Sequence, residues 1–197
     1  SPNAIFDYVI MDESSQVDIA TGALAISCAK NAVIVGDSKQ LEKVTTRAEK
    51  EKYQEIVEKH KVPQMYNCAD VSFLDSIGRF IPEAAKTLLK EHYRCHPKII
   101  EFCNQKFYDN QLVVLSNNTE QNPLVIHWTA PASRENNVNQ KQIDAIAQEV
   151  MPTLKTTDVG IISPYNKQCS GLRKVVPNID ISTIHKFQGR EKDVIIF

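Results

Sequence analysis

Phe6-Asp7-Tyr8-Val9-Ile10-Met11-Asp12-Glu13-Ser14-Ser15-Gln16 is an aromatic and β-branched run that stops abruptly on two acids. A second run, Asn31 to Val35, stops on Gly36-Asp37-Ser38-Lys39-Gln40-Leu41, and Val17 to Ala29 between them reads as a helix. Apolar strand, helix, apolar strand is the pattern of a parallel sheet covered on both faces. Open sheets of that kind bind ligands at the carboxyl ends of their strands. Asp12, Glu13 and the residues after Gly36 are therefore expected at one crevice.

The rest of the chain continues the alternation. Glu42 to Lys61 is charged, with acids and bases four residues apart, which is the pattern of a solvated helix; Pro63 ends it. A mixed segment runs to Ile81-Pro82, and a domain boundary is placed just beyond it, dividing residues 1–85 from 86–197. Pro97 to Tyr108 reads as a helix with proline in its first turn. Leu124 to Trp128 reads as a strand, Gln140 to Leu154 as a helix and Val159 to Ser163 as a strand. Asn166 to Val175 reads as a short helix, with strands at Ile179 to Ile184 and Val194 to Phe197. Ser116 to Asn122 and Arg134 to Gln140 read as loops. The expected fold class is α/β, with two parallel sheets flanked by helices.

Composition narrows the function. A net charge of −1 gives no global basic field, so any nucleic-acid surface must be local. No apolar run approaches the roughly 20 residues that span a bilayer, so no membrane partner is expected. Asp7, Asp12 and Glu13 interrupt the first apolar stretch, unlike a signal peptide. The five cysteines are scattered, with no C-x-x-C spacing, which fits reduced thiols in a cytoplasmic protein, or a nuclear one in a eukaryote.

The chemistry sits at the ends of the runs. Asp12 suits the oxygen-rich sphere of Mg²⁺, usually through water, and Glu13 suits orienting and deprotonating a water. Capping of a helix from Ser14 is the plainer account of the two acids. Gln40, beside Asp37, can sense a phosphate by hydrogen bonding without repelling it. In Tyr93-Arg94-Cys95-His96-Pro97 the guanidinium suits charge developing on a transferring phosphoryl group, and Tyr93 suits stacking. A metal set of His92, Cys95, His96 and Cys103 matches no standard zinc spacing. Ser163-Pro164-Tyr165 ends a strand on groups that can approach a phosphodiester backbone, or Ser163 caps the next helix. In the terminal stretch, Thr183 and His185 leave a strand, Gly189 allows close backbone approach, and Glu191 suits a ribose hydroxyl or a tie to an arginine.

In this order the motifs D-E-x-x-Q, G-D-x-x-Q-L, Y-R-x-H-P, S-P-Y-x-x-Q and T-x-x-x-F-Q-G-R-E-K-D-V-I-I resemble those of superfamily 1 helicases. They are most similar to the branch that includes the helicase of nonsense-mediated mRNA decay and its DNA-processing relatives. The resemblance spans Phe6 to Phe197. It implies two partial RecA-like (P-loop NTPase) domains with ATP and Mg²⁺ in the cleft between them and single-stranded DNA or RNA lying across both. It further implies Asp12 and Glu13 as the Mg²⁺ and water-activating acids, Gln40 as γ-phosphate sensor and Arg94 as arginine finger. Gln16, Asp37, Tyr93, Gly189 and Glu191 would lie near nucleotide, and Ser163, Pro164, Tyr165, Thr183 and His185 near the strand.

The sequence contains no G-x-x-x-x-G-K-[ST] loop, which the resemblance places before Asp12. The arginine-bearing last motif expected after Phe197 is also absent, and Glu42-Lys43 stands where the branch often has prolines. The chain is therefore read as a fragment of a monomeric, ATP-dependent helicase that turns over little ATP alone. An ATP-driven clamp that never separates strands, and a degenerate module serving as a binding scaffold, are the competing readings.

Overall fold

Tyr8, Val9, Ile10 and Met11 belong to β1 (Phe6–Met11), which pairs in parallel with β2 (Ala29–Ile34) in the computed structural model of the chain, Met11 lying opposite Ile34. The structure describes residues 5–41, 43–117, 120–131 and 136–197. The chain divides between Leu89 and Lys90 into two compact units.

In the first unit β1 and β2 are joined by α1 (Ile19–Ile26). Asp18 starts that helix by accepting the Thr21 N–H at 2.9 Å, so it begins two residues later than the apolar pattern suggests. α2 (Arg47–His60) carries a reciprocal cap between Thr46 and Glu49 and buries no residue, the solvated helix its charges predict. Its expected start at Glu42 lies outside the described residues. α3 (Phe73–Phe80) falls in the stretch that reads only as mixed; Ser72 caps it through the Asp75 N–H at 3.1 Å. Phe73 is fully buried and donates its N–H to the Val17 carbonyl at 2.9 Å. Its ring lies against Gly22, where an added Cβ would come within 2.3 Å of it. That contact locks α3 onto α1.

In the second unit β3 (Glu91–His92) and β4 (Val113–Val114) form a short parallel pair connected through α4 (Pro97–Phe107). A three-stranded parallel sheet follows, with β5 (Val159–Ile162) between β6 (Asp180–Ser182) and β7 (Val194–Ile196). α5 (Gln140–Ala145) continues as a π-turn at Ile146–Val150 and a 3-10 turn at Met151–Thr153, so the expected helix is helical throughout but not uniformly α. α6 (Asn166–Val175) and α7 (Ile184–Phe187) complete the unit. Ile143, Ile161, Cys169, Leu172, Val176 and Ile181 form its core on one face of β5. On the opposite face Phe187 sits so close to Gly160 that an added Cβ would be 2.3 Å from the ring.

Two expected strands need correction. Leu124 to Trp128 is irregular and exposed. Its apolar residues favour an extended backbone, but without a paired neighbour that preference makes no strand. Ile184 belongs to α7, because β6 ends at Ser182 and the Thr183 carbonyl accepts the Lys186 and Phe187 N–H groups. Parts of both expected loops, 118–119 and 134–135, lie outside the described residues. No helix among the described residues is long and apolar enough to cross a membrane.

Candidate functional site

β1 delivers Asp12 and Glu13 to its carboxyl end, both exposed. Glu13 takes a left-handed backbone, φ 51°, and donates its N–H to Asp12 Oδ1 at 2.8 Å. A non-glycine residue in that region stores about 1–3 kcal/mol and persists only where its surroundings fix it. Here the fixing residue is Ser14, fully buried, whose N–H and Oγ both donate to the Val35 carbonyl at 3.0 and 2.6 Å. Gly36 makes this approach possible, since a Cβ there would stand 2.6 Å from Ser14 Oγ and 3.1 Å from Ser14 N. The two strand ends, and with them D-E-x-x-Q and G-D-x-x-Q-L, are thus stitched to one sheet edge. Neither acid caps α1; Asp18 does.

The amides of these motifs rest on acids of their own turns. Gln16 Nε2 donates to Glu13 Oε2 at 3.3 Å, and Gln40 Nε2 to Asp37 Oδ2 at 3.1 Å. Asp37 Oδ1 also accepts the Lys39 N–H at 2.9 Å. The donor chemistry fits Mg²⁺: exposed carboxylate oxygens at a strand edge, leaving places for water and phosphate. Among the described residues no group of three or more His, Cys, Asp and Glu side chains could form a closed metal cage.

That finding also removes the metal set at His92, Cys95, His96 and Cys103. His92 Nε2 accepts the Cys95 N–H at 2.8 Å, while His96 accepts the Lys98 N–H at 3.1 Å and reaches the Glu120 carbonyl at 2.9 Å. Both imidazoles are spent shaping the turn into α4. Burial, and then the nearby Arg94 charge, push His92 below its ordinary value. Burial and then Cys103 push the Cys95 thiol up, so it is a poor nucleophile. Tyr93 is exposed and its hydroxyl donates to Glu91. The Arg94 guanidinium pairs with the Glu191 carboxylate. Of the two roles open to Glu191, the tie to an arginine is the one seen.

The second unit gathers its other candidates at opposite ends of one sheet. Ser163 follows β5 and donates its N–H to the Ser182 carbonyl at 3.2 Å, which sets Ser163-Pro164-Tyr165 beside Thr183 at the carboxyl edge. Ser163 itself is buried, with its Oγ accepting the Tyr165 N–H at 3.4 Å, and it caps no helix. The Thr183 hydroxyl makes no capping bond, and His185 is exposed. Gly189, at φ +77° with open space around it, turns the chain toward Glu191 at the other edge, next to β7. Gln188 Oε1 is buried with no hydrogen-bond partner among the described residues. Sequence reasoning passed over Ser14, Gln188 and Phe187; the small buried residue after D-E and the lone aromatic before Q-G were the available signals.

A family model described as an AAA domain matches residues 69–197. The chain belongs to this family, and with it to the superfamily 1 helicases. Its branch is that of the nonsense-mediated mRNA decay helicase, and its fold is the RecA-like α/β fold. Over 98% of its length it is 26% identical to an uncharacterized ATP-dependent helicase, MG140, of Mycoplasma genitalium, covering 18% of that protein. It is 28% identical over 98% of its length to the DNA polymerase alpha-associated DNA helicase A of Saccharomyces cerevisiae, covering 33%. With the helicase sen1 of Schizosaccharomyces pombe it shares 27% identity over 98%, covering 12%. The chain therefore spans a third or less of these relatives.

Proposed function

We propose that the intact protein carrying this chain hydrolyses ATP and couples hydrolysis to movement along single-stranded DNA or RNA and to strand separation. The observation that carries this reading is the stitched edge of the first unit, where Ser14 and Gly36 hold two exposed acids next to the loop that bears Gln40. Asp12 would hold Mg²⁺, which when bound neutralises phosphate charge. Glu13 orients the attacking water and takes its proton. Gln40 exchanges Asp37 for a phosphate oxygen, a swap of one hydrogen-bond acceptor for another. Arg94 supplies the charge that steadies the transferring phosphoryl group.

In the second unit Thr183, Tyr165 and His185 offer donors, beside Pro164, at one sheet edge to a nucleic-acid backbone. Separation of this edge from Glu191 supports two ligands on one unit. The test is steady-state ATP hydrolysis by the intact protein with single-stranded DNA, with RNA and with neither. Stimulation by one polymer, reduced several-fold in Thr183→Ala, is the expected result and names the track. Hydrolysis indifferent to both polymers would contradict the coupling, and no hydrolysis under any condition would favour the scaffold reading.

A further inference from the structure

The run Arg190-Glu191-Lys192-Asp193 is held at three of its four side chains. Arg190 pairs with Asp180 and lies 5.8 Å from the centre of the Phe187 ring. Lys192 Nζ reaches Asp158 Oδ1 at 2.8 Å and Asp180 Oδ2 at 3.9 Å. Asp193 Oδ2 accepts the Thr156 hydroxyl at 2.9 Å, and its N–H donates to Asp158 Oδ2 at 3.2 Å. These contacts clamp the run to the amino edge of the sheet. Glu191 alone points away from that clamp and meets Arg94.

Arg94 is presented in the same manner. Its neighbour Cys95 is fixed through its N–H on His92 Nε2 at 2.8 Å and through its carbonyl, which accepts the Ser116 hydroxyl at 2.6 Å. The Arg94 and Glu191 side chains are nonetheless 70% and 62% exposed. Two rigid backbones thus carry one solvent-exposed ion pair. Such a solvent-screened pair contributes little, and so yields readily to a ligand that offers the guanidinium two phosphate oxygens at once.

We infer that Glu191 is an ionic latch on Arg94: it holds the guanidinium while no γ-phosphate is present and gives it up when one arrives. The inference rests on the reading of Arg94 as the residue that meets the γ-phosphate. Glu191 is then a positioning residue whose charge competes with the nucleotide, so the site discriminates ATP from ADP less sharply than Arg94 alone would allow.

The experiment is a double-mutant cycle in the intact protein, reading dissociation constants for Mg²⁺–β,γ-imido-ATP and Mg²⁺–ADP in wild type, Glu191→Gln, Arg94→Ala and the double variant. Both positions are exposed, and Glu191→Asp serves as a second variant that keeps the charge. The latch predicts that Glu191→Gln tightens the ATP analogue about two- to fivefold while ADP is unchanged, that Glu191→Asp does so less, and that Arg94→Ala erases the effect. Equal weakening of both nucleotides in Glu191→Gln would mean a ribose contact and would overturn the latch, as would an effect that survives in Arg94→Ala. If Arg94→Ala alone leaves the preference for the analogue unchanged, the γ-phosphate reading itself falls, and the latch with it.

Discussion

β1 and β5 are both apolar strands with parallel partners, yet Phe6, Tyr8 and Ile10 on β1 are 65%, 65% and 71% exposed while Val159 and Ile161 on β5 are 2% and 1% exposed. β5 lies between two strands, with α5 and α6 on one face and Phe187 on the other. β1 has one described strand partner. Among the described residues, the candidate side chains of the two units are fixed in different ways. Burial holds the second unit, at about 1.5–3 kcal/mol for each fully buried large side chain. Polar ties and close approach hold the functional edge of the first, at about 1 kcal/mol per hydrogen bond.

The largest effects should come from the two aromatic anchors. Phe187→Ala removes the ring from Gly160 and should destabilise the second unit by about 3–5 kcal/mol. Phe73→Ala should cost the first unit a similar amount and also free the Asp12–Gln16 turn, because α3 is tied to Val17. Hydrogen exchange on the intact protein would show each loss confined to its own unit; a loss spread over both would show that the two anchors are not independent.

Gly36→Ala tests the close approach of the strand ends in the first unit. Its Cβ collides with Ser14, so the strand ends must part, at about 1–3 kcal/mol, and Glu13 should lose its left-handed turn. Turnover would then fall more than stability alone explains. Ser14→Ala keeps the backbone bond to Val35 and loses only the hydroxyl, so it should cost about 1 kcal/mol. A Ser14→Ala loss as large as that of Gly36→Ala would show that the hydroxyl, not the close approach, sets the edge.

The smallest effect is a pH dependence. Burial first and Arg94 second lower the His92 pKa from its ordinary 6.5. Folding therefore favours the neutral ring, whose Nε2 accepts the Cys95 N–H. That contribution is full above pH 6.5 and is lost as pH falls through the lower folded-state value. The second unit should weaken on mild acidification, and His92→Asn should flatten the profile; a wild type that gains stability on acidification in this range would reverse the assigned sign.

How much of this was legible in the sequence follows from the same contrast. Asp12 and Glu13 stand at the end of β1, as the aromatic and β-branched run and the D-E motif foretold. α2 announced itself through its charges. Ser14 did not, because a serine after two acids reads as a surface cap until Val35 is known to lie opposite. Gly36 read only as the end of a run, whereas its reason is the neighbouring serine. Phe73 was hidden because the ring finds its partner at Gly22, about fifty residues earlier in the chain, and local pattern carries no trace of that pairing. Leu124 to Trp128 failed for the converse reason: its composition suits a strand, but composition cannot supply a neighbour. Glu191 had two readings, and only the side chain across from it, Arg94, chose between them.

The most direct test of the central claim is Mg²⁺–ATP binding and turnover by the intact protein beside Glu13→Gln. If the stitched acids are the hydrolytic pair, the variant binds ATP as the wild type does and turns it over about 10²- to 10⁴-fold more slowly. Turnover that survives Glu13→Gln unchanged would contradict the claim and move catalysis elsewhere in the protein.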